Sequence, residues 1–244
     1  MPRADPDNAP YQHSITYDWS PMLYLSRFDV DPEESLYVRR WIAEKHLPDL
    51  LAAGFLTAAS YEEINGSGHT ADIYEIPQID IFKTPAYRAT GSDEDDPERP
   101  RALAAMTNRS NTTYRVRAEH GDMELGDNSE VVTLIQFDTS ATSPGGQDTE
   151  FVTNLQQACI SVMDSFPGVL ERVRVCERSG NHPDYPSDQP NWLITLEWSE
   201  CPRSEDSTDL ARNLHTAAGQ LGFISGWSSR VLARARVQIA EASL

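Results

Sequence analysis

The chain is 244 residues long, enough for one large domain or two small ones with a real core. Its 20 basic against 38 acidic side chains leave a formal net charge of −18. That charge repels phosphate backbones and anionic lipid, which argues against nucleic-acid or membrane-surface partners.

Residues 1–21 are polar and proline-bearing, with Tyr11, Tyr17 and Trp19 as candidate anchors for an N-terminal arm. They hold no apolar stretch of signal-peptide length, and no window of the chain approaches a transmembrane span, so a cytoplasmic protein is expected. Residues 22–30 read as a strand. Asp31-Pro32-Glu33-Glu34 is a helix start, with a capping carboxylate, a proline at the first helical position and acids at the positive helix end. The helix should run to Leu47, with Pro48 breaking or kinking it, and residues 49–53 should add a last turn before Gly54. Residues 55–64 and 72–82 read as strands around Asn65-Gly66-Ser67-Gly68, whose Asn-Gly is a hairpin signal. The run Ser92-Asp93-Glu94-Asp95-Asp96-Pro97-Glu98 is expected to be a solvated acidic tether. A short helix over 100–108 and a strand over 112–119 complete the first half.

After a linker at 122–129, the same succession returns: a strand at 130–138, a helix at 148–165, strands at 169–178 and 191–199, a helix at 205–221 and a strand at 229–240. The proline- and aspartate-rich loop 179–190 reads as a surface flap. Cys159, Cys176 and Cys201 are odd in number and lack C-x-x-C spacing, so neither a disulfide framework nor a cysteine zinc site is indicated. Cys159 and Cys176 lie in apolar runs and read as core thiols.

The two halves can be laid over each other. Leu25-Ser26-Arg27-Phe28-Asp29 matches Leu134-Ile135-Gln136-Phe137-Asp138, and Gly54-Phe55-Leu56 matches Gly168-Val169-Leu170. The difference in spacing falls in loop 139–146, where insertion costs little. Residues 22–121 and 130–244 therefore read as two copies of a βαββαβ unit, the ferredoxin-like split arrangement. Each such sheet needs cover on its second face, and Val131-Val132-Thr133-Leu134-Ile135 suits a strand buried on both sides. The expected fold is α+β, with two ferredoxin-like repeats closing a single-chain, pseudo-dimeric α/β barrel.

Only the first copy carries a histidine on the inner face of its long helix. Val38, Ile42 and His46 fall at i, i+4 and i+8, with Trp41 beside them, so the imidazole should point toward the sheet. There it could exchange a proton near neutral pH. The plain alternative is a structural histidine bonded to a backbone carbonyl near the helix end. The matching position of copy two is Ile160, which cannot move protons.

The opening strand, Pro32-Glu33-Glu34, Trp41 and His46-Leu47-Pro48, with the Gly54-Phe55-Leu56 turn behind them, resemble the EthD-type branch of the dimeric α/β-barrel superfamily. The resemblance covers residues 22–82, and the second half only as a degenerate copy. It implies a pocket between sheet and helices and chemistry such as that of cofactor-independent cyclases, decarboxylases, dehydratases, isomerases and small monooxygenases, beside haem-binding members, without naming a reaction.

Around His46, Tyr24 and Arg27 are the further catalytic candidates, and Phe28, Trp41, Tyr61, Tyr74 and Asp80 the candidate substrate contacts. The tyrosines offer hydroxyls, the Trp and Phe offer flat apolar surface, and the two strand charges could anchor an enolate or steer His46. Packing, or an inter-strand salt bridge, is the alternative for each. In the first strand, Met22, Tyr24, Ser26 and Phe28 share one face and Leu23, Leu25, Arg27 and Asp29 the other, and register decides which faces the helix. His13, His69, His120 and His182 are expected at the surface. His215 has no second ligand at i+4, and no H-E-x-x-H, P-loop, G-x-G-x-x-G or G-x-S-x-G motif is present. No cofactor or metal is therefore expected.

The resulting expectation is a cofactor-independent lyase, isomerase or cyclase acting on a small aromatic or polyketide-like carbonyl compound. A non-catalytic ligand-binding or assembly protein of the same fold is the alternative, and haem binding through His46 a third. A homodimer is compatible with any of them.

Overall fold

In the first strand of the chain, Leu23 and Leu25 turn one way and Tyr24 and Phe28 the other, and both sets are buried. A strand buried on two faces needs a packed layer on each side. The computed structural model, which describes residues 21–121, 129–139, 149–221 and 224–235, provides them. The expected arm at 1–20, most of the linker, the loop 140–148 and the end of the chain lie outside the described residues.

The chain runs β1 (Met22–Val30), α1 (Ser35–Trp41), a π-helical turn (Ile42–His46), α2 (Leu47–Ala52), β2 (Thr57–Glu63) and β3 (His69–Ile76). A 3-10 turn (Ile79–Lys83), α3 (Pro85–Ala89), α4 (Arg99–Ala104) and β4 (Met106–Gly121) follow. The rest comprises β5 (Val131–Thr139), α5 (Thr149–Met163), β6 (Leu170–Asn181), β7 (Trp192–Trp198), α6 (Ser204–Leu221) and β8 (Ile224–Arg234). The strands close a barrel in the order β1-β3-β2-β8-β5-β7-β6-β4, antiparallel throughout. Each half contributes one block, β4-β1-β3-β2 or β8-β5-β7-β6, and the seams are β2 with β8 and β4 with β6.

Leu23, Leu25, Ala59, Ile73, Tyr114, Leu134, Leu193 and Leu232 fill the barrel interior. Outside it, α5 and α6 press on Ile135, Phe137, Trp192, Ile194 and Trp198. Over the first half the outer layer is divided between two smaller clusters, one around Tyr24, Phe55, Tyr74 and Phe82 and the other around Phe28, Val38, Trp41 and Ala102. Among the described residues, no helix is long and apolar enough to cross a membrane.

Several expectations shift. The Asp31 carboxylate caps a turn by accepting from the Glu33 backbone N–H at 3.0 Å, and helix proper starts at Ser35. The strand expected over 72–82 stops at Ile76, and its supposed second part is the 3-10 turn, followed by a short helix, α3, that was not expected. The last strand lies at 224–234, earlier than 229–240, of which 236–240 is outside the described residues. The acidic run is not wholly a solvated tether, because Asp96 within it is only 5 % exposed.

Candidate functional site

The first helix does not break at Pro48. A proline lacks an N–H and its ring crowds the carbonyl four residues earlier, so an α-helix cannot pass through unchanged. Here the preceding turn widens to π geometry, with the Leu47 N–H bonded to the Ile42 carbonyl, and Pro48 enters the first turn of α2. In a regular α-helix residues five apart point about 140° away from each other. The π turn instead brings Trp41 and His46 face to face, with ring centroids 4.8 Å apart and an interplanar angle of 18°. Trp41 is fixed from behind by its indole N–H, which donates to Asp96 Oδ2 at 2.8 Å. The other oxygen of Asp96 accepts from the backbone N–H groups of Glu98 and Arg99 at the start of α4. Gly54, at φ 104, ends the helix in the left-handed region.

Opposite this helix lies the even-numbered face of β1. Tyr24 pairs across the ladder with Tyr74 and Ser26 with Asp72, while Ser60 faces Asp72 from β2. The Tyr24 and Tyr74 rings stack at 5.3 Å, and the Tyr24 hydroxyl donates to Asn111 Oδ1 at 3.2 Å. Tyr74 connects the two titratable groups of the site: its hydroxyl donates to Asp72 Oδ2 at 3.1 Å and lies 3.4 Å from His46 Nε2. Asp72 is 2 % exposed, and its Oδ1 has no hydrogen-bond partner among the described residues.

Burial separates the proton affinities of the two. Desolvation, helped by the positive charge of Arg99, lowers the His46 pKa to about 4. Desolvation raises Asp72 to about 7, and the Ser60 and Tyr74 hydroxyls beside the carboxylate offset that only in part. Burial also raises Tyr24 and Tyr74 well above the usual phenol value, so both hydroxyls stay protonated. Near neutrality the imidazole is an uncharged base while the carboxyl retains much of its proton, the reverse of their order in water.

These groups border a cavity of about 230 Å³ whose lining includes Tyr24, Ser26, Phe28, Trp41, His46, Asp72 and Tyr74. Its remaining wall comes from α3, α4, β4 and the loop after β6, through Tyr87, Arg99, Arg109, His182 and Tyr185. His182 Nε2 and the Tyr87 hydroxyl lie 2.6 Å apart, and burial lowers the His182 pKa to about 4.

Of the residues singled out from the sequence, His46, Tyr24, Phe28, Trp41 and Tyr74 therefore meet at one cavity. Arg27 does not reach it: being odd-numbered, its side chain enters the barrel, where it donates to Gln136 Oε1 at 2.8 Å and lies 3.7 Å from Asp188. Tyr61 is likewise interior, bonded to the Ser129 hydroxyl at 3.0 Å. Asp80 belongs to the 3-10 turn rather than a strand, and forms an exposed ion pair with Lys83. His182 is 3 % exposed rather than at the surface, and His69 is half-buried against Asp29. His120 and His215 are exposed, and His13 lies outside the described residues. Sequence reasoning missed Asp72, Asn111, Arg99 and His182. Asp72 had a usable signal, since it sits two residues before Tyr74 and hence on the same strand face. For His182 the proline-rich composition of its loop pointed the wrong way.

In the second half the corresponding face is closed. Where Ser26 pairs with Asp72 in the first half, Ile135 pairs with Ile194, and where Tyr24 pairs with Tyr74, Thr133 pairs with Leu196. Among the described residues, no group of three or more His, Cys, Asp or Glu side chains is placed to hold a metal ion.

No protein-family model and no curated protein sequence matches the chain. Solved structures match it over most of its length at low identity. A candidate monooxygenase from Fusobacterium nucleatum aligns at 12 % identity and a TM-score of 0.59, covering 90 % of this chain and 94 % of that one. An anthrone oxidase-like protein aligns at 12 % and 0.57, covering 88 % and 92 %. A haem-binding protein from Thermus thermophilus aligns at 10 % and 0.51, covering 88 % and 91 %.

A haem does not fit the residues present. The cavity of about 230 Å³ is below the roughly 300–1,000 Å³ of cofactor-sized pockets. His46 is stacked flat on Trp41 with Nε2 beside the Tyr74 hydroxyl, and the other cavity imidazole has Nε2 against Tyr87. Both Nε2 atoms lie beside tyrosine hydroxyls, and the space in front of them is too small for the macrocycle that an axial histidine would hold. Barrel, strand order and outer helices together give the chain the fold of these structures, an α+β barrel of eight antiparallel strands.

Proposed function

We propose that the protein is an EthD-like enzyme of the lyase, isomerase or cyclase type, moving protons on a small enolisable carbonyl compound without an organic cofactor. The two halves are read as copies of one βαββαβ unit, of which the first holds the site and the second has filled its own with Ile135, Ile194 and Leu196. The observation that carries the proposal is the His46–Tyr74–Asp72 chain, two titratable groups with inverted proton affinities linked by one hydroxyl at a cavity wall. Groups whose environments push their pKa values apart make natural acid and base partners.

Neutral His46 takes a proton from the carbon next to the substrate carbonyl. Asp72, through its unpartnered oxygen or through Tyr74, supplies a proton to the carbonyl oxygen, so the enolate does not have to persist as a free anion. Return of the proton at another carbon completes an isomerisation, and loss of a leaving group completes an elimination. An engineered cavity of about 150 Å³ is known to hold benzene, so about 230 Å³ suits one substituted ring rather than a fused tricycle.

The likeness to a monooxygenase and an anthrone oxidase-like protein supports a second reading, in which the same deprotonation prepares a carbanion for dioxygen. Solvent-exchange NMR in deuterium oxide, applied to single-ring ketones and β-dicarbonyl compounds, tests the shared step. Wild-type protein should speed deuterium incorporation at the acidic carbon, and His46→Ala should slow it by about 10²–10⁴-fold while retaining ligand affinity. Equal exchange in the variant would end the role given to His46. No catalysed exchange by either protein would favour a binding protein, and dioxygen uptake would favour the second reading.

A further inference from the structure

The surface as a whole repels anions, with a formal charge of −18. The cavity departs from that pattern. Arg88, Arg99 and Arg109 all contribute to its lining, against Asp184 and the deeply buried Asp72. Arg99 is 19 % exposed in its side chain, is held by Asp93 at 3.0 Å and donates to the Tyr185 hydroxyl at 3.3 Å. Arg109 is half-buried with its guanidinium 6.0 Å from the centre of the Tyr185 ring, and Arg88 is exposed. Among the described residues, neither Arg88 nor Arg109 makes an ion pair. A half-buried guanidinium that a protein leaves without a carboxylate is poised to meet an anion, and its fork geometry matches a carboxylate. At the other end of the cavity, Asp72 keeps one oxygen unpartnered in a nearly water-free setting. An orphaned buried polar atom calls for a complementary polar group on whatever fills the space.

We infer that the substrate is a single-ring acid: its carboxylate docks on Arg99 and Arg109 at the exposed end of the cavity, and a carbonyl or hydroxyl oxygen on the ring reaches Asp72. This rests on the reading above that the cavity is the substrate site, and adds the charge of the substrate to it.

Calorimetric titration with 4-hydroxybenzoate and benzoate, each set against its uncharged amide, measures this directly. The acids should bind at least about tenfold more tightly than the amides. Arg109→Gln should bring the acid-to-amide affinity ratio close to one. Arg99→Gln serves as the second variant, and its fold is checked by far-UV circular dichroism. 4-Hydroxybenzoate should also lose more affinity than benzoate on Asp72→Ala. Acids and amides binding equally to the wild-type protein would overturn the anionic substrate while leaving the cavity as a ligand site. Failure of every probe to bind would overturn both.

Discussion

At the level of single residues, the site turns on where one proton sits. Asp72 holds its proton up to about pH 7 when folded, against an ordinary value of 3.8. A carboxyl raised by burial binds its proton more tightly in the folded than in the unfolded chain, so its contribution to stability is present below 3.8 and falls as pH rises toward 7. His46 has the opposite sign: its stabilising contribution is present above 6.5 and is lost as pH falls toward 4. The two contributions largely offset each other in the wild type, so Asp72→Asn should uncover the rise due to His46 between pH 4 and 6.5 and leave the variant more stable at pH 8 by something on the order of 4 kcal/mol, as urea titrations at several pH values would show. The same substitution should slow proton exchange by about 10²-fold, because an amide cannot pass a proton on. His46 was readable from spacing alone, since helical periodicity is local. Spacing places Asp72 on the strand face of Tyr74, but an aspartate in a strand looks the same whether it faces solvent, a salt bridge or a cavity, so its role needed the tertiary structure.

Among the elements, the π turn is what sets His46 against Trp41. It reconciles Pro48 with a continuous helix and supplies the extra residue that rotates His46 onto Trp41. π turns of this kind recur at functional sites. Pro48→Ala removes the ring that crowds the carbonyl four residues earlier and should let the turn relax to α geometry, in which residues five apart diverge by about 140°, carrying the imidazole away from Trp41. Circular dichroism should then be unchanged, the His46 pKa measured by NMR should climb back toward 6.5, and exchange activity should fall by about 10²-fold. A pKa that stays near 4 would show that the turn does not set the environment of the ring. The proline announced an irregularity in the sequence. Whether the chain would break, kink or widen there depended on Leu47 and Leu50 finding partners in the layer beneath.

Across the whole molecule, the halves are joined by charge as well as by strand pairing. Arg174, on β6, reaches Glu75 of β3 at 2.6 Å and Glu197 of β7 at 2.5 Å, and Arg172 adds 3.2 Å and 2.7 Å to the same carboxylates. All four are largely buried, and the two arginines hold the Glu197 carboxyl below its usual value despite that burial. Removing one partner from such a cluster strands the others, a loss of about 3–5 kcal/mol. Arg174→Met should lower the urea midpoint accordingly at neutral pH, while ligand binding at the distant cavity persists below the transition. A variant of unchanged stability would show that the barrel halves are held by apolar contacts and ladder hydrogen bonds alone.

The succession of the main strands and longer helices and the α+β class were legible in the sequence, because periodicity and turn chemistry are written over short stretches of chain. Which face of β1 met the helices was not, since a slip of one residue exchanges the two faces and only pairing with β3 and β4 chooses between them. That pairing sent Arg27 into the barrel, set Ser26 against Asp72 and Tyr24 against Tyr74, and allowed the loop after β6 to bring His182 and Tyr185 from the second half onto a cavity built by the first. Such contacts join residues far apart in the chain, and only the assembled tertiary structure brings them together.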